Sequence, residues 1–451
     1  EQEWASPGYY GVDLLDYGVK AEMTSGIRSG ILQFTYPESD SSFILLDMNH
    51  TLWQSCPWSN LRVENDSTLV GYKLVKGWGP ERHVYFTAVF SKPFRDFGIM
   101  QDTIPVKYNT NRFRSSLEAW GKDLRFWMRF PTRQGEVVTV KTAVSAVSSD
   151  GAKLNMQELE GKTFASLKAE GEKLWEGQLS KFKIEATPEQ RETFYTSVYH
   201  AFLHPFIFQD ADGKFRELDK NIGQAEGFTN YTVFSLWDTY RNVHQLLTLV
   251  YPERQLQMVR SMLDMYREHG WLPKWELYGR ETLTMEGDPS IPVIVDTWLK
   301  GLRDFDIELA YEAMRKGATL PGAENLLRPD NDDYVSLGYV PLREQYDNSV
   351  SHALEYYIAD NALSRIAAAL GKKEDARLFH ERSLGYKHYY CKEYGTFRPI
   401  LPDGEFYALF NPMEGENFEP SPGFHEGNAW NYTFYVPHDV KGLARLMGGK
   451  K

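Results

Sequence analysis

The hydrophobic periodicity of this chain changes near residue 150, and this change limits the folds that the chain can adopt. Residues 83–90 alternate apolar and polar side chains, and a period of two is typical of β-strands. Beyond residue 187, Phe194, Val198 and Phe202 recur at helical spacing. Because strands and helices occupy separate stretches, the sequence predicts a multidomain α+β protein rather than one mixed α/β sheet.

The first region, residues 1–150, predicts a set of short antiparallel strands. Residues 9–14 and 19–23 flank an Asp16-Tyr17-Gly18 turn, which indicates a hairpin. Further strands are predicted over 42–48, 83–90 and 136–147. Clusters of Gly, Pro, Ser and Asp separate these strands, so we predict an antiparallel β-sandwich domain.

The second region predicts helices. Residues 151–186 are predicted to be linker helices, and Thr187-Pro188-Glu189-Gln190 has the capping-box pattern of a helix start. Helices are then expected over 233–250, 253–268, 290–302, 306–317, 348–370 and 373–390, with a shorter one near Pro437. Gly270 and Gly371 are the expected stops. These helices number about eight, fewer than the six pairs of a complete (α/α)6 ring.

Composition excludes several classes of function. The net charge of −12 argues against binding to nucleic acid. The longest apolar runs are too short to predict a membrane span. Nucleotide-binding glycine motifs and a nucleophile elbow are absent from the sequence. Aromatic residues make up 14% of the chain, which suits either a large core or a cleft that stacks on sugar rings.

Two groups of candidate metal ligands have simpler interpretations. His200 and His204 are four residues apart, as in a helical ligand pair, but we interpret them as packed or hydrogen-bonded histidines. The segment Asp330-Asn331-Asp332-Asp333 lacks the glycine and terminal glutamate of a calcium loop. We predict that this segment is a solvated turn.

Three clusters combine carboxylates with aromatic residues. Asp238 and Arg241 are spaced to share a helix face. The clusters are residues 235–241, residues 271–289, which include Glu281 and Asp288, and residues 425–432, which include Glu426. A glutamate beside apolar rings has a raised pKa, as a general acid for a glycosidic oxygen requires. The alternative for each acid is a helix cap or an ion pair with arginine.

Together these clusters resemble glycoside hydrolase family 92, the calcium-dependent exo-acting α-mannosidases of bacteria. The strongest motifs are Phe234-Ser235-Leu236-Trp237-Asp238-Thr239-Tyr240-Arg241 and Glu426-Gly427-Asn428-Ala429-Trp430. The resemblance continues through residues 5–17, 91–94, 194–201, 271–273, 287–290, 300–301, 349–356 and 436–439.

The resemblance implies a β-sandwich over 1–150, linker helices over 151–186 and an (α/α)6 barrel over 187–451. It implies inverting hydrolysis that releases terminal α-linked mannose from mannooligosaccharides, mannan or N-glycans, with Glu426 as the general acid. It places Asp238 at the hydroxyls of the terminal mannose. The other residues that it places near that mannose are Trp237, Arg241, Glu281 and Asp288.

The resemblance also implies parts that this sequence does not contain. The general base of the family lies well beyond the acid, and so do most calcium ligands. We therefore expect an internal fragment, truncated at both ends, of a calcium-dependent enzyme from the periplasm or a secreted fraction. Linkage preference and oligomeric state stay open.

Two alternatives remain at this stage. A related sandwich-plus-barrel enzyme, either a glycoside phosphorylase or a lyase, would share the architecture. A phosphorylase needs a basic phosphate pocket, and no cluster of Arg and Lys accompanies the three motifs. A non-catalytic glycan-binding module would also use the aromatic residues.

Overall fold

The computed structural model describes residues 2–102, 104–105, 117–344, 347–415 and 421–449. The chain divides into two compact units: Glu1–Val233 with Leu277–Arg280, and Phe234–Glu276 with Glu281–Lys451. The first unit is dominated by antiparallel sheet and the second by helices. None of the described helices has the length and apolar character that a membrane crossing requires.

The first unit contains two antiparallel sheets. One has nine strands in the order β1-β2-β3-β4-β13-β8-β7-β6-β11, and the other has four in the order β10-β9-β12-β5. The strands are β1 (Gln2–Ser6), β2 (Tyr9–Leu14), β3 (Val19–Ser25), β4 (Ser29–Tyr36), β5 (Ser39–Asp47), β6 (Ser55–Val63), β7 (Thr68–Lys76), β8 (Arg82–Phe90), β9 (Asp96–Gln101), β10 (Ile104–Pro105), β11 (Glu118–Gly121), β12 (Leu124–Thr132) and β13 (Glu136–Ser145).

Both sheets contribute to one core, as a sandwich requires. Leu61 and Val138 of the larger sheet are fully buried in the same cluster as Phe126 and Met128 of the smaller one. The predicted hairpin is confirmed, because β2 pairs with β3 from Tyr9 to Leu14. The predicted strands near residues 42, 83 and 136 are confirmed as β5, β8 and β13.

Three helices complete the first unit: α1 (Ser149–Met156), α2 (Phe164–Leu179) and α3 (Pro188–Ala201). Helix α1 packs on β8 and β13, and α2 packs on β3. The helices predicted as a linker are therefore grouped with the sheets in one compact unit, and this unit extends to Val233. The predicted capping box at Thr187 is confirmed, since its hydroxyl accepts from the Gln190 amide at 3.3 Å.

The helical spacing of His200 and His204 is a coincidence of sequence. Helix α3 ends at Ala201, so His204 does not lie on it. The ring of His204 packs near Phe206 instead, with 5.6 Å between centroids. The first unit ends in short strands: β14 (Phe206–Ile207), β15 (Lys214–Arg216), β16 (Ile222–Gln224) and β17 (Tyr231–Thr232).

The second unit is built on helices. They are α4 (Leu236–Thr239), α5 (Val243–Val250), α6 (Pro252–His269), α7 (Ser290–Leu299), α8 (Ile307–Thr319), α9 (Asn331–Leu337), α10 (Ser349–Ala369), α11 (Lys373–Ser383), α12 (Ala429–Thr433) and α13 (Val440–Leu446). Short 3-10 turns cover Gly322–Glu324 and Gly385–Tyr389 in this unit, and Gln157–Leu159 in the first unit. Two-residue strands are β18 (Phe234–Ser235), β19 (Trp275–Glu276), β20 (Tyr390–Cys391) and β21 (Thr396–Phe397).

Helix α10 is the central element of this unit. It packs on both α7 and α11, and most of its residues are buried. Gly270 ends α6 in the left-handed conformation at φ 81°, as predicted. The predicted turn at Asp330 is wrong. Asn331, Asp332 and Asp333 begin α9. Asn331 is buried, and its side-chain amide donates a hydrogen bond of 2.7 Å to the Leu320 carbonyl.

Candidate active site

The segment around Trp237 leaves a short strand pair and enters a single helical turn. Strand β18 pairs with β19, and α4 follows directly. Asp238 is exposed and accepts a short hydrogen bond from the Ser235 hydroxyl. Arg241 lies beyond the end of α4. The expected shared helix face therefore does not form, and the two side chains have different partners.

The partner of Arg241 is Glu355 on α10. One guanidinium nitrogen lies 3.1 Å from Glu355 Oε1. The Arg241 guanidinium also lies over the rings of Trp237 and Tyr435, at 4.5 and 4.7 Å from their centroids. Glu355 Oε2 accepts from the Tyr240 hydroxyl at 2.5 Å. The cluster holds Arg241 between aromatic faces, an arrangement that stabilises a cation.

Glu355 is a buried carboxyl group with a strongly raised pKa. Its side chain is 4% exposed. Burial raises the pKa of Glu355 to about 8; the nearby charge of Glu286 adds to the shift and Arg241 opposes it. A carboxyl with this pKa holds its proton through much of the neutral range.

Glu281 folds the loop in which it lies. Its carboxylate accepts from the backbone amides of Lys274, Trp275 and Leu283 at 2.8, 3.0 and 2.8 Å. An acid that accepts three backbone N–H groups fixes the loop in one conformation. The loop also buries Lys274, whose pKa burial lowers.

Asp288 belongs to an ion network that is closed to solvent. Its two oxygens lie 2.8 and 3.2 Å from the Arg328 guanidinium, which also donates to Asp360 at 2.8 Å. All three side chains are at most 1% exposed. Both oxygens of Asp288 are therefore occupied by a protein partner.

Buried Glu286 pairs with His425, whose side chain is 27% exposed. Glu286 Oε1 lies 3.1 Å from His425 Nδ1 and accepts from the Asn348 amide at 2.9 Å. Its other oxygen is buried without a hydrogen-bond partner among the described residues. The His425 ring stands edge-on to Trp237, with 5.9 Å between centroids. This contact brings the third carboxylate cluster against the first.

Glu426 extends from this pair toward solvent. Its side chain is 31% exposed, and its Oε1 lies 3.7 Å from His425 Nε2. The backbone of Glu426 has φ 49°, which is uncommon for a residue with a side chain and is concentrated at functional sites. The loop is held on both sides: the His425 amide donates to Ser351 on α10, and its carbonyl accepts from Tyr432 on α12.

Comparisons with known proteins identify the family of this chain. A family model described as "Glycosyl hydrolase family 92 catalytic domain" matches residues 151–451, and one described as "Glycosyl hydrolase family 92 N-terminal domain" matches residues 1–145. The chain belongs to glycosyl hydrolase family 92.

Solved relatives have the same fold as this family 92 chain. The family GH92 α-mannosidase BT3965 from Bacteroides thetaiotaomicron is 52% identical with a TM-score of 0.92, covering 99% of this chain and 59% of that chain. Its complex with mannoimidazole has a TM-score of 0.93. The family GH92 inverting mannosidase BT2199 from Bacteroides thetaiotaomicron is 28% identical with a TM-score of 0.89, over the same shares of the two chains.

A curated relative adds a different source. An uncharacterized secreted glycosidase from Arthroderma benhamiae is 23% identical over 508 residues, which cover 99% of this chain and 59% of that protein. The family 92 chain therefore spans about three fifths of the length of these relatives.

The structure brings together some of the predicted site residues and separates others. Trp237 and Arg241 are linked by contact, and Trp237 is linked to Glu426 through His425. Asp238, which follows Trp237 in the sequence, is exposed to solvent. Glu281 and Asp288 are occupied by backbone amides and by Arg328 respectively.

The sequence analysis did not predict Glu286 and Glu355 as site residues. They lie within residues 271–289 and 349–356, which belong to the family resemblance, but their spacing from other acids indicates no shared site. One feature of the sequence does mark Glu355: it is a charged residue on α10 whose adjacent residues are mostly apolar or small. A buried charge needs a partner or a raised pKa.

Calcium has no obvious site in the described part of this family 92 chain. Among those residues, no group of three or more His, Cys, Asp or Glu is arranged to hold a metal ion. The two cysteines, Cys56 and Cys391, are free and buried.

Proposed function

We propose that this chain carries the general-acid part of an exo-acting α-mannosidase site, and that the reaction inverts the anomeric configuration. The observation that carries the proposal is the convergence of two motifs almost 190 residues apart. The Trp237 motif and the Glu426 motif meet through the ring of His425. Family membership, and the mannosidase relatives with their mannoimidazole complex, support the same substrate class.

Glu426 has the geometry of a proton donor to a leaving group. It is partly exposed, so a glycosidic oxygen can reach it, while the loop around it is fixed by α10 and α12. In the proposed step, the Glu426 proton moves to the glycosidic oxygen as the bond from the anomeric carbon to that oxygen breaks. A water then bonds to the opposite face of that carbon and gives up a proton to a base.

The remaining predicted residues are proposed to act in two ways. Exposed Asp238 would accept hydrogen bonds from hydroxyls of the terminal mannose, and Trp237 and Arg241 would line the same subsite. Glu281 and Asp288 would hold the adjoining loop in place, since their oxygens already have protein partners. These two acids are thus proposed as positioning residues.

The base and the calcium ligands are proposed to lie outside these 451 residues. The support is the resemblance, which places them beyond the acid, and the relatives, of which the chain spans about 59%. A periplasmic or secreted location is proposed from the secreted glycosidase relative.

The acid assignment is tested with Glu426→Gln in a protein extended to the length of the relatives. We expect release of mannose from an α-mannobiose to fall by about 10²- to 10⁴-fold, because a sugar leaving group needs a proton. Hydrolysis of an aryl mannoside with a good leaving group should fall far less. Glu405→Gln is the matched control, since Glu405 is exposed in the same unit. An equal loss on both substrates would contradict the assignment.

The proposal that the base and the calcium ligands lie outside these 451 residues is tested by comparing two proteins. Release of mannose is measured for the 451-residue chain and for the extended protein, each with calcium and with EDTA. We expect calcium-dependent release of mannose by the extended protein alone. Calcium-dependent release by the shorter chain would show that the base lies within it. No release by either, with retained binding to mannan, would favour a glycan-binding module.

A further inference from the structure

The His425 imidazole lies between two carboxyl groups of different burial. Its Nδ1 is 3.1 Å from Glu286, which is 2% exposed, and its Nε2 is 3.7 Å from Glu426, which is 31% exposed. Nε2 is itself buried and has no hydrogen-bond partner among the described residues. A buried nitrogen without a hydrogen-bond partner costs free energy, so its presence needs an explanation.

The contacts at Nδ1 determine which ring nitrogen carries the proton. A carboxylate oxygen can only accept, and both His425 Nδ1 and Asn348 Nδ2 approach the same Glu286 oxygen, at 3.1 and 2.9 Å. Asn348 Nδ2 also lies 2.9 Å from His425 Nδ1, so Nδ1 has both an amide donor and a carboxylate oxygen beside it. A lone pair on Nδ1 would face that carboxylate oxygen, whereas an N–H there makes a charge-assisted hydrogen bond to it. In the neutral imidazole the proton is then on Nδ1, and Nε2 presents a lone pair toward Glu426.

We infer that His425 is a positioning residue that holds the acid proton of Glu426 in place, with the Glu286 carboxylate fixing its tautomer. This inference rests on the proposed role of Glu426. In the resting site the Glu426 O–H donates to Nε2 after a small rotation of the exposed side chain. When substrate binds, the glycosidic oxygen replaces Nε2 as acceptor and takes the proton. His425 keeps its own proton throughout.

Other charged groups lie near His425 and Glu286. His352 Nε2 lies 3.9 Å from Glu286 Oε1, and its Nδ1 lies 2.9 Å from Asp330. The charge of Glu286 also acts on Glu355 and on buried Lys274. None of these groups contacts Glu426 in the described structure, whereas His425 does.

The test is the pH profile of kcat/KM for an α-mannobiose, measured on the extended protein and on two variants. His425→Asn keeps an amide that can donate to Glu286 but removes the acceptor at the Nε2 position. We expect its alkaline limb to move to lower pH by about one unit, because the protonated acid loses an acceptor. His425→Gln places an amide oxygen near that position, and we expect most of the limb to return.

The limb position does not depend on the fraction of folded enzyme, so partial misfolding lowers the amplitude without moving the limb. If His425→Asn is insoluble, Glu286→Gln is the second variant, since it removes the carboxylate charge that holds the imidazole proton on Nδ1 and so lets that proton move to Nε2. That variant should also lower the limb. An unshifted limb in the soluble variant would overturn the inference.

The failure of this inference is distinguishable from failure of the proposed function. If Glu426→Gln selectively abolishes cleavage of the mannobiose while the His425 variants keep the parental limb, Glu426 is the acid and His425 does not position its proton. If Glu426→Gln has no selective effect, the proposed function itself fails.

Discussion

Two buried acidic clusters begin in the same loop of this protein and differ in how their oxygens are satisfied. Both oxygens of Asp288 are bonded to Arg328, whereas Glu286 keeps one oxygen without a partner among the described residues. Gly287 separates the two acids at φ 78°, and a Cβ there would meet the Cβ of Glu355 at 2.5 Å. The glycine lets the chain turn so that neighbouring acids enter different environments.

Asp288 and Glu286 are both buried but differ in their hydrogen-bond partners, so burial alone is not sufficient to identify a candidate catalytic acid. Both oxygens of Asp288 are hydrogen-bonded within its cluster. The Glu286 cluster is incomplete, and through His425 it reaches the partly exposed Glu426. An unsatisfied buried group is a better indication of function than a buried charge as such.

The largest effect should come from breaking the complete cluster. Arg328→Met leaves Asp288 buried without a cation, while Asp360 keeps its pair with Arg382 at 2.8 Å. We expect the free energy of unfolding to fall by about 3–5 kcal/mol, measured by urea denaturation. Arg343→Met is the control, because its pair with Asp333 is exposed and should change stability by about 1 kcal/mol or less. A small effect at Arg328 would remove the distinction between the clusters.

A smaller effect is expected where one carboxylate satisfies the loop backbone. Glu281→Ala removes the acceptor for three amide groups. Unfolding free energy should fall by about 1–3 kcal/mol, the cost of unsatisfied donors in a partly exposed loop. Glu308→Ala, which removes an exposed ion pair with Lys372, is the comparison. If Glu281→Ala keeps its stability but loses affinity for mannoside, Glu281 contacts substrate instead.

The third effect appears only as a dependence on pH. Burial raises the pKa of Glu355 to about 8, so the folded state holds a proton that the unfolded state releases near pH 4.5. The stabilisation is present below pH 4.5 and is lost as pH rises toward 8, with a slope of up to about 1.4 kcal/mol per pH unit. Glu355→Gln should flatten this slope in unfolding measurements from pH 5 to 8.

Exposed Glu176 on α2 provides the control for that slope. Glu176→Gln should leave the pH dependence of stability as it is in the parent. If Glu355→Gln does the same, Glu355 is ionised in the folded protein and pairs with Arg241 as a simple salt bridge.

Much of the architecture could be predicted from the sequence. The hairpin at residues 9–25, the capping box at Thr187 and the stop at Gly270 depend on neighbouring residues, so local patterns are sufficient. The turn predicted at Asp330 failed because its polar sequence conceals a helix start, stabilised by a distant carbonyl at Leu320.

The site divides in the same way. The motifs around Trp237, Asp238 and Glu426 are readable in the sequence because their residues are adjacent. The partners of Arg241 and Glu281 were not readable, because spacing along a helix says nothing about which side chain lies opposite. Arg241 turned away from Asp238 to a glutamate 114 residues later in the chain.

The sequence by itself determined the order of strands and helices, the family and the residues that could donate a proton. Those properties follow from local periodicity and from short motifs. Only the tertiary structure decided that Asp288 is enclosed by Arg328 and that Glu286 is joined to Glu426 through His425. The physical reason is that charge pairing and desolvation depend on distances in space, which packing sets after the chain has folded.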